Sequence, residues 1–389
     1  MPRSSAFTRF ATLYAALYAA FGVASPFLPA FLGSRGLVTE EISLVLASGT
    51  AIRLVAGPLA GRVADRHRAW TSLLAACAAA AGACALLFLR GRGFWVLLTI
   101  ALAQASLLAP LAPLSDALAV SAAGTATRKS GGKPFQYGWV RGIGSAAFIA
   151  GSLLAGEVAR PLGLSATLWL NAVLLGAAAL FALPLPKIAE RSANAAAPAE
   201  PGGVLILLRL PKFRRLMLIA ALILGSHALH DSFAVISWSA AGIDTATSSR
   251  IWSESVAAEV VMFCLFGPAL LERIGPGRAA ALAAAAGMLR WGVMAVSTQT
   301  VALSLVEPLH GFTFALLHLA CMRVIAETVP GRLAATAQAL YGTLAAGAAS
   351  ALLTLASGWL YAHVGIAGFW AMAALCTAAL PAALGLGRS

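Results

Sequence analysis

Ionisable side chains are scarce in this chain, and they matter most where they interrupt long apolar runs. In Leu303-Ser-Leu-Val-Glu307-Pro-Leu-His310-Gly-Phe-Thr313-Phe-Ala-Leu-Leu-His318 an acid and two histidines fall within sixteen residues. The i, i+3 spacing stacks Glu307 and His310 on one helix face. His318 follows His310 by about two turns, rotated by roughly 80°. Burial and neighbours can tune Glu and His to exchange protons near neutral pH, as a proton relay requires. Other apolar runs are interrupted by Arg53, by Asp116, by Arg141, by His227, His230 and Asp231, by Glu254 and Glu259, and by Arg290. An ionised group at the middle of a membrane costs about 3 kcal/mol or more, so each needs a partner or a task. Polar side chains also hold membrane helices together, and that structural reading stays open for every one of them. Glu307 is expected near the outer end of its segment, partly wet.

Two of these groups sit in unusual local sequence. Asp116 ends the string Ala109-Pro-Leu-Ala-Pro-Leu-Ser-Asp116, a helix broken by proline that frees backbone carbonyls beside an acid. Arg141 lies in Tyr137-Gly-Trp-Val-Arg141-Gly-Ile-Gly, whose three glycines predict close helix contact. Asp116 and Arg141 are a possible ion pair, and Arg141 is equally a candidate anion site. Arg141 with Arg290 can offer bidentate hydrogen bonds to a carboxylate. Trp139, Trp238, Trp252, Phe27 and Tyr14 are candidates for an apolar wall around a ring. Arg53 is expected to meet a carboxylate or to reach toward the membrane surface.

The elements that must position these groups follow from composition. Of 389 residues, 60% are hydrophobic and 11% charged, with a mean hydropathy of +0.86. Soluble domains carry about 25% charged residues, so this chain cannot coat a water-soluble globule. Segments that can cross a membrane fall near 8–32, 40–62, 71–90, 94–121, 136–159, 164–184, 214–237, 250–272, 278–297, 300–324, 334–358 and 364–386. The expected fold class is an all-α integral membrane protein of about twelve helices. Period-2 strands between turns are absent, which excludes an outer-membrane barrel.

The net charge of +13 is distributed by loop rather than gathered on one face, which argues against nucleic acid. Sorting Lys and Arg by alternate loops puts nineteen on the side of the N-terminus and five on the other. The positive-inside rule then predicts both termini in the cytoplasm, which agrees with an even number of crossings. The five cysteines lie in apolar segments without metal-ligand spacing and read as packing residues. The first apolar segment is too long for a signal-peptide core and reads as the first crossing.

The most polar stretch, Pro186 to Pro211, sits near the midpoint and is rich in Ala, Pro and Gly. It predicts a cytoplasmic linker, 186–211, between an N-terminal six-helix bundle, 1–185, and a C-terminal one, 212–389. The halves echo each other. Gly57-Pro-Leu-Ala-Gly61-Arg-Val-Ala-Asp65-Arg66 ends the second segment, and Gly267-Pro-Ala-Leu-Leu-Glu272-Arg273-Ile-Gly275 ends the eighth. In both, Gly-Pro precedes an acid followed directly by Arg. The small residues allow close helix approach, and the acid can bond a helix N-terminus across the loop.

These motifs resemble the loop signature of the major facilitator superfamily, a fold of two six-helix bundles around a central cavity. The family's glycine two residues after Arg66 is Arg68 here. The strings around Asp116 and Arg141, with Ala257-Ala-Glu259-Val-Val-Met-Phe, Leu289-Arg290-Trp-Gly-Val-Met and Leu309-His310-Gly-Phe-Thr313, look like the 3-phenylpropionic acid transporter family, a branch related to the lactose permease. The resemblance spans essentially the whole chain. It implies a secondary transporter of the bacterial inner membrane that works by alternating access. Proton-coupled symport of a small organic acid, aromatic acids included, is the leading expectation.

By the same resemblance, Arg141 matches a substrate-contacting arginine and Glu259 an acid of the same cavity. Arg290 and His310 match members of a coupling network. Thr313 stands where the permease has its proton-carrying acid, so coupling would fall to Glu259, Glu307, Asp116 or Asp231. The expected substrate site is Arg141, Asp116, Glu259, Trp252 and Trp238. The expected coupling set is Glu259, Arg290, His310, Glu307 and Asp231, with Gly61, Asp65, Arg66, Glu272 and Arg273 as cytoplasmic gating loops. Sugar symport, drug efflux and a non-transporting assembly factor are the alternatives. No metal box, phosphate loop or nucleophile–base pair suggests an enzyme, and no cofactor is implied. The expected partners are a small-molecule substrate, protons and the lipid bilayer, with no nucleic acid; a monomer is expected.

Overall fold

A computed structural model describes residues 6–129, 136–185 and 203–386, with the side chains of 124–129 left out. Among these residues there is no strand. Ten helical runs are long and apolar enough to cross a membrane, two of them 52 and 55 residues long. One crossing takes about 20 residues, so each of these two holds a pair. Glycine supplies the break in both: Gly275, with φ 76°, divides Thr245–Val296, and Gly365, with φ 57°, divides Gly331–Gly385. Only a residue without a Cβ adopts such angles without strain. The described residues therefore make twelve crossings, at the positions that hydropathy predicts.

The helices run α1 Ala6–Ser34, α2 Thr39–His67, α3 Trp70–Phe88, α4 Phe94–Leu108, α5 Leu111–Lys129, α6 Tyr137–Leu162 and α7 Ser165–Ala182. After the residues outside the description come α8 Gly203–Arg209, α9 Pro211–Gly225, α10 Ala228–Ala240, α11 Thr245–Val261, α12 Gly267–Val296 and α13 Thr300–Val306. The chain closes with α14 Leu317–Thr328, α15 Ala334–Leu340, α16 Ala349–Val364 and α17 Phe369–Gly385. Residues 186–202 of the expected linker lie outside the described residues, and 203–209 form α8. Two compact units emerge, Met1–Leu37 with Ala51–Ala197, and Val38–Thr50 with Pro198–Ser389.

In the first unit α1 and α6 meet at glycines. A Cβ on Gly22 would overlap the Phe148 carbonyl oxygen, and one on Gly151 would overlap that of Ala19. Of the three glycines expected to make contact near Arg141, only Gly144 does so, against Tyr18; Gly138 and Gly142 face open space. The fourth crossing breaks as its prolines predict. α4 stops at Leu108 and α5 resumes at Leu111, because Pro110 has no N–H to continue the ladder.

The second unit breaks two crossings where its polar residues sit. α9 ends at Gly225 and α10 starts at Ala228, with Ser226 and His227 between them. The tenth crossing passes from α13 through a 3₁₀ turn, Glu307–Leu309, and a π-helical turn, Gly311–Leu316, into α14. Pro308 explains the first irregularity, since its ring and missing N–H disrupt the regular ladder. Irregular backbone at membrane depth persists where side chains satisfy the freed groups, and π turns recur at functional sites.

Candidate functional site

Each unit carries one polar cluster. In the first, Tyr14 of α1 donates its phenol proton to Asp116 Oδ1 of α5 at 2.5 Å. Tyr14 stacks on Tyr18, ring centroids 5.4 Å apart. The Arg141 guanidinium lies over the Tyr18 ring, 4.7 Å from its centroid, a cation–π contact. The expected Asp116–Arg141 ion pair is not made, because the phenol takes the carboxylate and the ring takes the cation. Arg141 remains exposed and has no acidic partner among the described residues.

The cluster of the second unit is far more extensive. Arg290 of α12 and Glu307 are both 0% exposed, and Arg290 Nη2 donates to Glu307 Oε2 at 2.6 Å. The Arg290 guanidinium lies 4.5 Å from the Trp291 ring centroid. Glu307 is therefore wholly buried, contrary to the partly wet position expected for it. The turn at Pro308 carries it inward onto Arg290 and His230, away from the segment end. His230 Nε2 is 2.8 Å from Glu307 Oε1, and His230 Nδ1 is 3.1 Å from Asp231 Oδ1.

Arg290 Nη1 faces His310 Nδ1 at 3.1 Å. A guanidinium only donates, so His310 Nδ1 is the acceptor and its proton sits on Nε2. That nitrogen points at Glu259 Oε2 of α11, 3.5 Å away. His227 Nδ1 lies 3.1 Å from the carbonyl oxygens of both Ile223 and Leu224, so it carries the proton and donates to them. This bond satisfies carbonyls freed where α9 stops. His227 Nε2 then accepts from the Thr313 hydroxyl at 2.9 Å. Thr313, at the position where the resemblance expects an acid, is a buried hydroxyl serving His227.

Several expected residues therefore meet: Arg290, Glu307, His310, Glu259 and Asp231 form one connected network through His230. Trp238 and Trp252, expected to line a substrate wall, close over His230 instead. Trp252 stacks on its ring at 4.9 Å and Trp238 meets it edge-on at 5.9 Å. At 2% and 7% exposure they leave almost no surface for a ligand. The sequence shows His230 as a polar interruption of an apolar run, but the expected substrate and coupling sets omit it, although it joins the two acids. Its i, i+3 spacing from His227 was the available signal, but its partner Glu307 lies 77 residues away.

The loop motifs sit at helix ends. Gly61, Asp65 and Arg66 occupy the last turns of α2, and Glu272 and Arg273 precede the break at Gly275. Asp65 does not cap the helix that follows it: α3 starts at Trp70, and its N-terminus has no side-chain cap. Arg68, where the family has glycine, has φ 51°, the only positive φ on a described non-glycine residue. The backbone keeps the turn for which glycine is suited.

Twelve helical crossings with buried polar groups paired at helix breaks have the layout of a membrane transporter, and the comparisons make the class specific. Two structures of the nucleoside transporter NupG match with TM-scores of 0.87 and 0.80 at 18% identity, covering 98% and 99% of this chain and 100% and 98% of theirs. A bacterial homologue of the human lysosomal transporter Spinster matches with a TM-score of 0.71 at 13% identity, over 99% of this chain and 97% of its own. At such identity these matches establish the fold alone.

The chain belongs to the MFS_1 like family, whose sequence model matches residues 7–372. A probable 3-phenylpropionic acid transporter of Escherichia coli (strain K12) is 32% identical over 314 residues, 80% of each chain. The protein is a multi-pass membrane transporter of the major facilitator fold.

Proposed function

We propose that the protein is a proton-coupled symporter that carries a small aromatic monocarboxylate, with 3-phenylpropionate the first candidate, by alternating access. The observation that carries the substrate class is Arg141. It is an arginine within a membrane segment, with its flat face on Tyr18 and no acid among the described residues to neutralise it. Such a group marks a substrate path, and its fork suits two carboxylate oxygens. The Tyr14–Tyr18 pair beside it supplies apolar ring surface. Arg290 is unavailable for this task, because Glu307 and His310 occupy it. The name of the Escherichia coli relative supports the same substrate class.

Proton coupling falls to Glu307, Arg290, His310, Glu259 and Asp231, an acid–base network in which each carboxylate that takes up a proton loosens its hold on a cationic or histidine partner. Gly61, Asp65, Arg66, Glu272 and Arg273 serve the cytoplasmic gating loops. The loop distribution of Lys and Arg supports both termini in the cytoplasm of a bacterial inner membrane.

The test is binding of 3-phenylpropionate and of its neutral amide to the purified protein and to Arg141→Ala. A charge-assisted bond to carboxylate contributes about 1.5–3 kcal/mol, so the acid binds roughly tenfold to a hundredfold more tightly than the amide. Arg141→Ala removes that preference. Equal binding of acid and amide, or an unchanged preference in Arg141→Ala, sinks the reading.

A further inference from the structure

His230 is the one histidine of the described network whose two ring nitrogens both face carboxylates. Nδ1 is 3.1 Å from Asp231 Oδ1 and Nε2 is 2.8 Å from Glu307 Oε1. A neutral imidazole has one N–H and one lone pair, so in that state one carboxylate would face a lone pair. Both contacts are satisfied only if the three residues hold one proton beyond a neutral imidazole and two carboxylates. Charge agrees with this count. Two carboxylates and one such proton leave a single negative charge, and Arg290 at Glu307 cancels it.

Among the described residues, Arg290 Nη2 is the one other donor near His230 Nε2, and a bond from it would still leave no proton between Nε2 and Glu307 Oε1, 2.8 Å apart. The charged and titratable groups around His230 are Arg290 of α12, Glu307 and His310 of the tenth crossing, and Asp231 and His227 beside it in sequence; on α11, Glu259 lies against His310 and Glu254 accepts from the Ser304 hydroxyl. Arg290 Nη2 stands 3.5 Å from His230 Nε2 and is directed at Glu307. His227 and His310 are each committed to a neutral tautomer by their partners.

Exposure gives the arrangement a direction. The Asp231 side chain is 61% exposed, His230 is 3% exposed and Glu307 is 0% exposed. Trp252 stacked on the His230 ring and Trp238 edge-on to it hold the imidazole in this bridge.

We propose that Asp231, His230 and Glu307 form a proton relay in which His230 passes a proton between an accessible carboxylate and the buried one that holds Arg290. Inward transfer begins from a neutral His230 that carries its proton on Nε2, when water delivers to Asp231 Oδ1 the one extra proton of the count above. The O–H bond at Asp231 breaks as His230 Nδ1–H forms, and His230 Nε2–H breaks as Glu307 Oε1–H forms. One proton has then moved, Glu307 is neutral, and its hold on Arg290 is weakened. Release reverses the steps. The transport role rests on the proton coupling proposed above; the proton count of the three residues does not.

The test is nitrogen NMR of ¹⁵N-histidine-labelled full-length protein in lipid nanodiscs near neutral pH, beside proteoliposome transport of 3-phenylpropionate. A ring protonated on both nitrogens, or its fast average with Glu307–H, is expected in the native protein. Its signal is lost in His230→Gln and in Asp231→Ala, the latter a change at an exposed side chain. Absence of this signal from the native protein, or its survival in Asp231→Ala, overturns the relay even if His230→Gln fails to fold. In transport, Asp231→Ala is expected to lose gradient-driven accumulation tenfold or more while keeping counterflow exchange. Undiminished accumulation in Asp231→Ala overturns the relay while leaving coupling itself intact. If the native protein shows no gradient-driven accumulation, the coupling reading fails, and the NMR signal still reports the proton count.

Discussion

Glu307→Gln isolates the charge of the buried pair with almost no change of shape. Both Glu307 oxygens accept from N–H groups, Oε2 from Arg290 at 2.6 Å and Oε1 from His230 at 2.8 Å. An amide can keep its oxygen on Arg290 and turn its NH₂ to His230 only if His230 gives up its Nε2 proton. Two charge-assisted bonds, about 1.5–3 kcal/mol each, then give way to weaker bonds made by a neutral amide. Arg290, 0% exposed, also loses its balancing charge. Removing one partner from a buried ion pair costs about 3–5 kcal/mol, and the geometry here points to about 4 kcal/mol.

Arg290→Gln should cost a similar amount, whereas the double substitution removes both charges together and should cost less than the sum by about 2–3 kcal/mol. The assay is reversible unfolding in mixed micelles, followed by circular dichroism for the native protein, both single variants and the double. A loss below about 1 kcal/mol for Glu307→Gln, or strict additivity in the double variant, would refute the electrostatic argument.

Two further predictions test the packing. Gly22→Val forces a branched side chain onto the Phe148 backbone where α1 meets α6; it should cost about 2–3 kcal/mol or abolish folded yield, measured by size-exclusion of the solubilised protein. Arg68→Gly should be neutral to stabilising by up to about 1 kcal/mol in the same unfolding assay, because glycine tolerates φ 51° that an L side chain resists. A clear destabilisation would show that the arginine side chain contributes more than its backbone strain costs.

The crossings were legible in the sequence because lipid imposes one strong rule, about 20 apolar residues for each span. Even the division of the two longest helical runs was marked, by the gaps 273–277 and 359–363 between predicted segments, within or next to which Gly275 and Gly365 make the breaks. The break near Asp116 was readable from Pro110. Side-chain partnership was not readable to the same degree. Asp116 and Arg141 have opposite charges and suit each other on paper, yet Tyr14, about a hundred residues earlier in the chain, takes the acid.

Glu307 looked peripheral by counting residues from the segment end, and the turn at Pro308 reversed that. His230 and Asp231 are adjacent, a spacing that does not normally share a helix face, so their bond had no sequence signature. Trp238 and Trp252 suit a wall around a substrate ring by residue type, but what they cover is an imidazole. In each case the hydropathy pattern specifies which element a residue occupies, while long-range packing decides which way it turns.

The most direct measurement is uptake of labelled 3-phenylpropionate into proteoliposomes, with and without an inward proton gradient and with lactose as a control. Accumulation above equilibrium only when the gradient is present, with lactose excluded, is the predicted result. Uptake of the acid that never exceeds equilibrium, or no uptake at all, would contradict proton-coupled transport of an aromatic acid.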